Sequence, residues 1–346
     1  MPNPALTAAI DALASRRDLD TDQTAAVLAE IMAGDASDTE TAAFLIALRT
    51  KGETVAEVTG LARTMRELAT PVRTRRTDLV DTAGTGGGRS TFNVSTTAAL
   101  IAAGAGCAMA KHGNRSATSL SGSADVLEAL GARIDLPADA VARCVDEVGF
   151  GFMFAPMHHA ATRFVVPVRK ELAVRTIFNV LGPLTNPAGA RRQLIGVSDA
   201  GMLDVMAGAL QRLGVDRALL ASSEDGLDEL STSGATHVVQ VDGGELHRFT
   251  VTPEELGLDR SPVEAVAGGT PQENAAVTRA IFAGEPGPAR DLAVLNAGAA
   301  IYAGGRADDL RAGVQAAAAA VDSGAALQTL ERYVALSQDL AAGEAA

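Results

Sequence analysis

The chain has 346 residues, 47% of them hydrophobic and 21% charged, which is room for about two domains with a packed core and excludes a disordered protein. With 42 acidic against 29 basic side chains the net charge is −13, and this opposes any sequence-independent hold on nucleic acid or on an anionic membrane, because neutralising phosphates takes a surplus of Lys and Arg. There is no Trp, and only nine Phe and two Tyr, so the core has to be filled by Ala, Leu, Val and Ile in close packing.

The first 70 residues read as a string of short helices. Asn3 precedes Pro4 at a first helical position, with Leu6, Ile10 and Leu13 following at helical spacing. Asp20-x-x-Gln23, Ser37-x-x-Glu40 and Thr54-x-x-Glu57 have the form of capping boxes, and Gly34 and Gly52 supply stops. Val58, Leu61, Met65 and Leu68 form one apolar stripe before Pro71, which completes a small all-helical domain. From Asp78 the texture changes to short apolar runs, glycine turns and alanine-rich helices. Strands are expected at Leu79 to Asp81, Cys107 to Ala110, Phe150 to Phe154 and Leu219 to Ser222, and helices at 94–104, 124–131, Pro137 to Val148, Val314 to Val321 and Ala325 to Ala341. The alternation implies a mostly parallel sheet with helices on its faces. The run 238-VVQVDGGELHRFTV-251, pivoting on Gly243 and Gly244, reads as a hairpin added antiparallel to that sheet, and Gly343 to Ala346 as a frayed end. Cys107 and Cys144 lie in no CxxC or Cys/His ligand spacing, so they read as small buried hydrophobes in a reducing compartment. No apolar run approaches the ~18 residues of a membrane span. The start MPNPALTAAIDALASRRD has no basic segment leading into an apolar stretch and cleavage site, and the expectation is a cytoplasmic protein.

Four segments carry chemistry. In 81-DTAGTGGGRSTFNVST-96 a strand feeds Gly84, Gly86, Gly87 and Gly88 and then Asn93, Ser95 and Thr96 at a helix start; such a loop binds an anion through backbone N–H groups, or is simply a tight turn with a cap. Its spacing fits neither GxGxxG nor the Walker loop. The next, 111-KHGNRSATSLSGSAD-125, offers Lys111 and Arg115 as cations and Ser116, Thr118, Ser119, Ser121 and Ser123 as hydroxyl donors, and reads as a loop following a strand. Two such loops at the ends of neighbouring parallel strands converge on one crevice and point to a polyphosphate site. In 224-EDGLDEL-230, Asp225, Asp228 and Glu229 suit magnesium, which takes oxygen ligands and is shared with substrate phosphates; the alternative is an acidic, solvated helix start. Finally, Arg163, Arg169, Lys170 and Arg175 lie in a segment able to line a pocket for an organic anion, with Arg169 in a surface ion pair as the alternative. His158 and His159 have no acidic or Cys partner at a zinc spacing.

In this order the motifs DxxGTGG, TFNVST, KHGNRSATSxxGSADVLEALG, FAPxHH, PVRKELxxRTxFNxLGPLxNP and EDGLDE resemble the anthranilate phosphoribosyltransferase family over most of the chain. The resemblance implies an α/β fold of the nucleoside phosphorylase/phosphoribosyltransferase type: a small helical domain, residues 1–72 with 163–186, and a larger α/β domain with a mostly parallel central sheet, residues 73–162 with 187–346. It implies transfer of a 5-phosphoribosyl group from phosphoribosyl pyrophosphate (PRPP) to the amine of anthranilate, a step of tryptophan biosynthesis, with Mg2+ as cofactor and a homodimer as the assembly. By the same resemblance Gly84, Gly87, Gly88, Thr91, Asn93, Val94, Ser95, Thr96, Lys111, His112, Gly113, Asn114, Arg115, Ser116, Ala117, Thr118, Ser119 and Ser123 match PRPP-binding positions. Gly84, Asn114, His158 and Arg169 match contacts to anthranilate, the Arg169 guanidinium taking the carboxylate, and Ser95, Asp228 and Glu229 match contacts to magnesium. No dedicated acid or base is implied, with His112 and His158 the candidates by residue type. One departure stands out: the family loop reads GTGGD with one more residue before TFN, whereas here Gly88 takes the Asp position and the loop is one residue shorter. His159 is followed by Ala160 where proline is common.

Two rivals share the architecture. A pyrimidine nucleoside phosphorylase would cleave a glycosidic bond with inorganic phosphate, and HGNRS after Lys111 together with the Asp228–Glu229 pair argues against it. A non-enzymatic nucleic-acid-binding relative needs a basic groove, against which the charge of −13 weighs.

Overall fold

The computed structural model describes residues 2–116 and 120–344. Four helices come first, α1 (Pro4–Ala14), α2 (Thr21–Ala33), α3 (Asp38–Lys51) and α4 (Val55–Glu67). Asn3 Oδ1 accepts the N–H groups of Ala5 and Leu6, and all three expected capping boxes form, each contributing about 1 kcal/mol to its helix. Gly34, in the left-handed region at φ 83°, closes α2. Glu57 does more than cap α4: its buried carboxylate accepts the Leu19 N–H at 3.0 Å and pairs with Lys51 Nζ at 3.0 Å, fastening three connections together. Leu6, Leu28, Phe44, Leu48 and Leu61 are fully buried between the helices, and Val165, Val168, Ile177 and Leu181 from far downstream enter the same apolar cluster.

The remainder is β1 (Leu79–Gly84), α5 (Val94–Gly104), β2 (Ala108–Gly113), α6 (Ser123–Ala129), α7 (Ala138–Val148), β3 (Phe150–Phe154), α8 (Ala155–His158), α9 (Val166–Leu172), α10 (Phe178–Leu181), β4 (Arg192–Gly196), α11 (Leu203–Arg212), β5 (Arg217–Ser223), β6 (Thr236–Asp242), β7 (Glu245–Val251), α12 (Pro271–Phe282), α13 (Pro288–Ala303), α14 (Leu310–Asp322) and α15 (Ala325–Glu344). The seven strands form one sheet in the order β3-β2-β1-β4-β5-β6-β7. The first five are parallel, and the expected hairpin pairs antiparallel on β5, with Asp242 opposite Glu245 at its turn. Ala and Gly let helices approach closely: a Cβ on Gly298 of α13 would lie 2.5 Å from the Val314 backbone nitrogen of α14. Both cysteines are buried free thiols. Among the described residues no helix is long and apolar enough to cross a membrane.

Three expectations are corrected. β2 extends three residues beyond the expected strand, so Lys111, His112 and Gly113 lie in the sheet, not in a loop; each alternates across β3, whose register pairs Lys111 with Phe152. The short run Gln193 to Val197 carries no strand signal of its own, yet β4 is the strand next to β1. α15 continues through Gly343 to Glu344, past the expected frayed end, while Ala345 and Ala346 lie outside the described residues. The placement of β4 matters most. The chain leaves β1 toward β2 and β3, then returns to lay β4 on the other side of β1, so the order reverses there and a crevice opens at the carboxyl ends of β1 and β4.

Candidate active site

Four loops meet at that crevice, those following β1, β2, β4 and β5. Gly86 (φ 65°) and Gly87 (φ 81°) occupy backbone conformations that side chains disfavour, which lets the loop after β1 fold down on the acidic loop after β5. The Gly86 N–H donates to Asp228 Oδ2 at 3.1 Å and the Arg89 N–H to the Gly226 carbonyl at 2.9 Å. A Cβ on Gly88 would stand 2.5 Å from Asp228 Oδ1 and 2.9 Å from the Asp228 nitrogen, so a glycine at position 88 is what permits this close approach. A Cβ on Gly84 would come within 3.1 Å of Asp228 Oδ2, and one on Gly196 would overlap the Asp228 carbonyl.

The helix after the loop, α5, begins at Val94 with Asn93 as its N-cap residue, but the Asn93 side chain does not cap it. Instead Asn93 Nδ2 donates to the Ser121 carbonyl at 3.0 Å, and Oδ1 accepts from Ser121 Oγ at 2.8 Å and from Asn274 Nδ2 at 2.9 Å. The first two loops are thereby joined directly, as the convergence of neighbouring strands predicts. Val94 itself is buried, and its N–H is held by the Phe92 carbonyl; Thr96 Oγ1 is buried without a partner among the described residues. The open first turn of α5 presents the positive end of a helix to the crevice. Thr91 lies in an isolated bridge to Ala267.

Lys111 is buried beneath that turn. Its Nζ donates to the Thr82 carbonyl at 2.6 Å and contacts Ser95 Oγ at 3.3 Å. Burial pushes the Lys111 amine down to about 8, with the Asp81 and Glu229 carboxylates opposing the shift. Asp81 Oδ1 accepts the His112 N–H at 3.0 Å, while its Oδ2 and Glu229 Oε2 are buried with no partner among the described residues. Burial raises the Glu229 carboxyl well above the usual range, and the neighbouring Asp228 charge adds to it. Burial also raises Asp228, against the Gly86 N–H and the Arg175 charge. Ser95 and Glu229 line one small cavity of about 10 Å³ with Thr82, Gly196 and Asn296.

These oxygens are hard donors, and an unpartnered carboxylate oxygen beside a hydroxyl fits a magnesium ion that takes its remaining ligands from water and phosphate. Asp225, by contrast, is committed elsewhere: it pairs with Arg89 at 3.0 Å and accepts Ser231 Oγ at 2.7 Å. The acidic segment is therefore not a solvated helix start. Among the described residues no group of three or more His, Cys, Asp or Glu is set to hold a metal by itself.

In the loop after β2, Arg115 is paired with Asp125 at 2.7 Å and Glu128 at 2.6 Å and is already charge-compensated. Asp125 also accepts the Ser116 and Gly122 N–H groups, folding the loop on the start of α6, where Ser123 sits. A Cβ on Gly113 would meet Phe152, and Asn114 is exposed, with its carbonyl accepting the Ala124 N–H. Ala117, Thr118 and Ser119 lie outside the described residues.

Arg169, half-buried on α9, stacks over the Phe178 ring at 5.5 Å and makes no ion pair among the described residues, so the surface ion pair of the alternative reading is not formed. His158 Nδ1 lies 3.3 Å from the Thr70 carbonyl and His112 Nδ1 3.3 Å from the Gly182 carbonyl. The His112 and His159 rings are 5.1 Å apart. Burial pushes His112 down to about 3 and His159 down to about 4, and lowers His158 as well, which keeps all three neutral near pH 7. They tie together the chain crossings at 70, 158–159 and 182–185, which a reading by residue type does not distinguish from catalysis. Arg175, Thr85 and Ser198 also belong to the site; Ser198 becomes legible only once β4 is placed, and Arg175 was one of several arginines in a basic run.

Residues 76–327 match the a/b domain model of a glycosyl transferase family, and residues 7–69 match that family's helical bundle domain. The anthranilate phosphoribosyltransferase of Symbiobacterium thermophilum is 52% identical over 92% of this chain and 94% of its own, and that of Rubrobacter xylanophilus 53% identical over 91% and 92%. Among solved structures, anthranilate phosphoribosyltransferase from Thermus thermophilus superposes with a TM-score of 0.91 at 46% identity, covering 95% of this chain and 99% of that one. The Saccharomyces cerevisiae enzyme in complex with PRPP and Mg does so with a TM-score of 0.87 at 26% identity, covering 96% and 98%. With a glycine-loop crevice built at the strand-order reversal and likeness of this extent on both counts, the chain belongs to the anthranilate phosphoribosyltransferase family.

Proposed function

We infer that this protein transfers the 5-phosphoribosyl group of PRPP to the amine of anthranilate, releasing pyrophosphate, in tryptophan biosynthesis. The observation that carries the reading is the meeting of the glycine loop, the first turn of α5 and the Asp228–Glu229 carboxylates in one crevice; Arg169, with no carboxylate partner among the described residues, goes with it. In the reaction the bond from the anomeric carbon to pyrophosphate breaks and a C–N bond to the amine forms, with one amine proton then lost. Charge grows on the leaving group, and the backbone N–H groups of Gly87 and Gly88 and those of Ser95 and Thr96 in the α5 first turn are set to stabilise it. Ser95, Asp228 and Glu229 would hold Mg2+, which supplies charge neutralisation of the diphosphate when bound. Lys111 holds Ser95 Oγ and the Thr82 carbonyl in place from beneath. Arg169 holds the anthranilate carboxylate by charge-assisted hydrogen bonds, and alignment of an already neutral amine lowers the barrier without a strong base.

The remaining PRPP contacts, at Gly84, Gly87, Gly88, Thr91, Asn93, Lys111, Asn114 and Ser123, go with the same reading, as do a homodimer, a cytoplasmic location and the division into residues 1–72 with 163–186 and 73–162 with 187–346. Val165, Val168, Ile177 and Leu181 pack with α1–α4 as that division has it, and the same apolar cluster runs on into Leu203, Met206 and Leu210 of α11 and Leu220 of β5 in the larger domain.

Anthranilate fluorescence tests the function, and the absence of Trp leaves no indole emission from the chain beneath the signal. Protein with anthranilate, PRPP and Mg2+ is expected to consume the fluorescence; omitting one component or adding EDTA stops it. Unchanged fluorescence beside an active control enzyme would overturn the assignment.

A further inference from the structure

Arg175 lies between two features already described, the α9 segment that carries Arg169 and the glycine loop after β1. Its guanidinium reaches out of the segment and donates to the Gly86 carbonyl at 2.9 Å and to Ser198 Oγ at 2.8 Å. Ser198 in turn sits 3.1 Å from Thr85 Oγ1, and its N–H donates to that same oxygen at 3.0 Å, so the guanidinium grips the loop at two consecutive residues, directly and through β4's end. The fit is close. A Cβ on Gly87 would lie 2.6 Å from Arg175 Nη1, so a side chain there would push the guanidinium off the loop, and the positive φ favours glycine in its own right. The peptide of Gly86 is thus held on both sides, its carbonyl by Arg175 and its N–H by Asp228.

The other end of the link is equally anchored. The Arg175 carbonyl accepts from Arg49 Nη1 of α3 at 2.7 Å, which fixes the segment to the helical bundle. Between Arg169 and Arg175 the backbone turns through Ala173 at φ 51°, a left-handed conformation that costs a non-glycine residue about 1–2 kcal/mol. The Ala173 N–H donates to the Arg169 carbonyl at 3.1 Å, so the strained turn is bonded to the residue assigned above to the anthranilate carboxylate. A strained residue persists only where its surroundings hold it, and here Arg175 and Arg49 supply the hold on the downstream side.

We propose that Arg175 is a positioning residue that couples the two substrate sites, so that a diphosphate settled on the glycine loop fixes the α9 segment and tightens the grip of Arg169 on anthranilate. Arg175 acts through Gly86 and Ser198 on one side and through the Ala173 turn on the other. Both bonds leave one terminal nitrogen, Nη2, which lies one bond farther along the side chain than the ammonium of a lysine would, so the shorter side chain does not reach both acceptors. Because the coupling is thermodynamic, anthranilate tightens the diphosphate by the same factor.

The inference rests on the substrates assigned above, and the test separates the two. Inorganic pyrophosphate with Mg2+ serves as the diphosphate, since it cannot react with anthranilate, and anthranilate binding is followed by its own fluorescence. In the unmodified protein Mg2+-pyrophosphate is expected to lower the anthranilate Kd about tenfold, within the usual range of coupling between sites. In Arg175→Met that factor falls to about one to two, whatever the anthranilate Kd measured alone. Arg175→Lys, which keeps the charge and covers the case in which the Met variant does not fold, is expected to lose most of the factor as well. Equal coupling in wild type and a folded variant overturns the role of Arg175 and leaves the function standing. A wild type that binds neither anthranilate nor Mg2+-pyrophosphate overturns both.

Discussion

Replacing Gly88 by Ala adds one methyl group where the glycine loop rests on the acidic loop. The new carbon would stand 2.5 Å from Asp228 Oδ1, 2.9 Å from the Asp228 nitrogen and 3.0 Å from the Gly226 carbonyl. Two of those atoms are backbone and do not swing aside, so the two loops must separate. Overpacking of this kind costs about 1–3 kcal/mol. Both loops are at the crevice and not in the core, so the cost falls on the arrangement that receives PRPP and magnesium and not on global stability. At 1.4 kcal/mol per factor of ten it corresponds to about a 5- to 140-fold rise in the PRPP and Mg2+ concentrations needed for half-maximal rate. The assay is the loss of anthranilate fluorescence at varied PRPP and Mg2+, with a thermal melt to show that Tm moves little. Gly88→Asp, which restores the residue usual in the family, is expected to be worse, because it sets a second carboxylate against Asp228. A PRPP requirement unchanged in both variants would refute the argument that Gly88 accommodates Asp228.

Arg169→Ala removes charge-assisted bonds of about 1.5–3 kcal/mol, so the anthranilate KM should rise about 10- to 150-fold; the assigned role fails if the PRPP KM rises equally. Lys111→Met leaves the Thr82 carbonyl buried without its donor and should lower the urea-derived stability by about 1–3 kcal/mol, and a change close to zero would count against the hydrogen bond at 2.6 Å. The two imidazoles held at about 3 and about 4 stay neutral in the fold but take up protons when unfolded below about 6.5. Their folded pKa values are depressed, so unfolding binds protons as the pH falls from 6.5 toward them, and stability is lost over that window, about 2 kcal/mol per histidine at pH 5. Stability should therefore fall less steeply between pH 6.5 and 5 in His159→Gln than in wild type, and parallel profiles would show that His159 does not drive the loss.

Local chemistry was legible where it depends on neighbours in the chain. Asp20, Ser37 and Thr54 cap their helices because each capping box closes within four residues, and the Gly243–Gly244 hairpin forms because its turn and its alternation are both local. The motifs carried the family in the same way, since a glycine loop, KHGNRS and an acidic pair are contiguous. Residue type could not say where side chains point. Lys111 and Arg115 read alike as cations for phosphate, yet one is buried under Ser95 by the extension of β2, and the other is neutralised by Asp125 and Glu128. Asp225 and Asp228 are three residues apart with opposite fates, one bound to Arg89 and the other facing the glycine loop.

What the sequence by itself determined, then, was the helical start, the parallel sheet and the family. Tertiary structure decided the site, because insertion of β4 beside β1 brings Gly196, Ser198 and the loop after β5 against a glycine loop more than a hundred residues earlier. The same closure accounts for Gly88: the space a side chain would take there is filled by Asp228, a contact that no local pattern encodes.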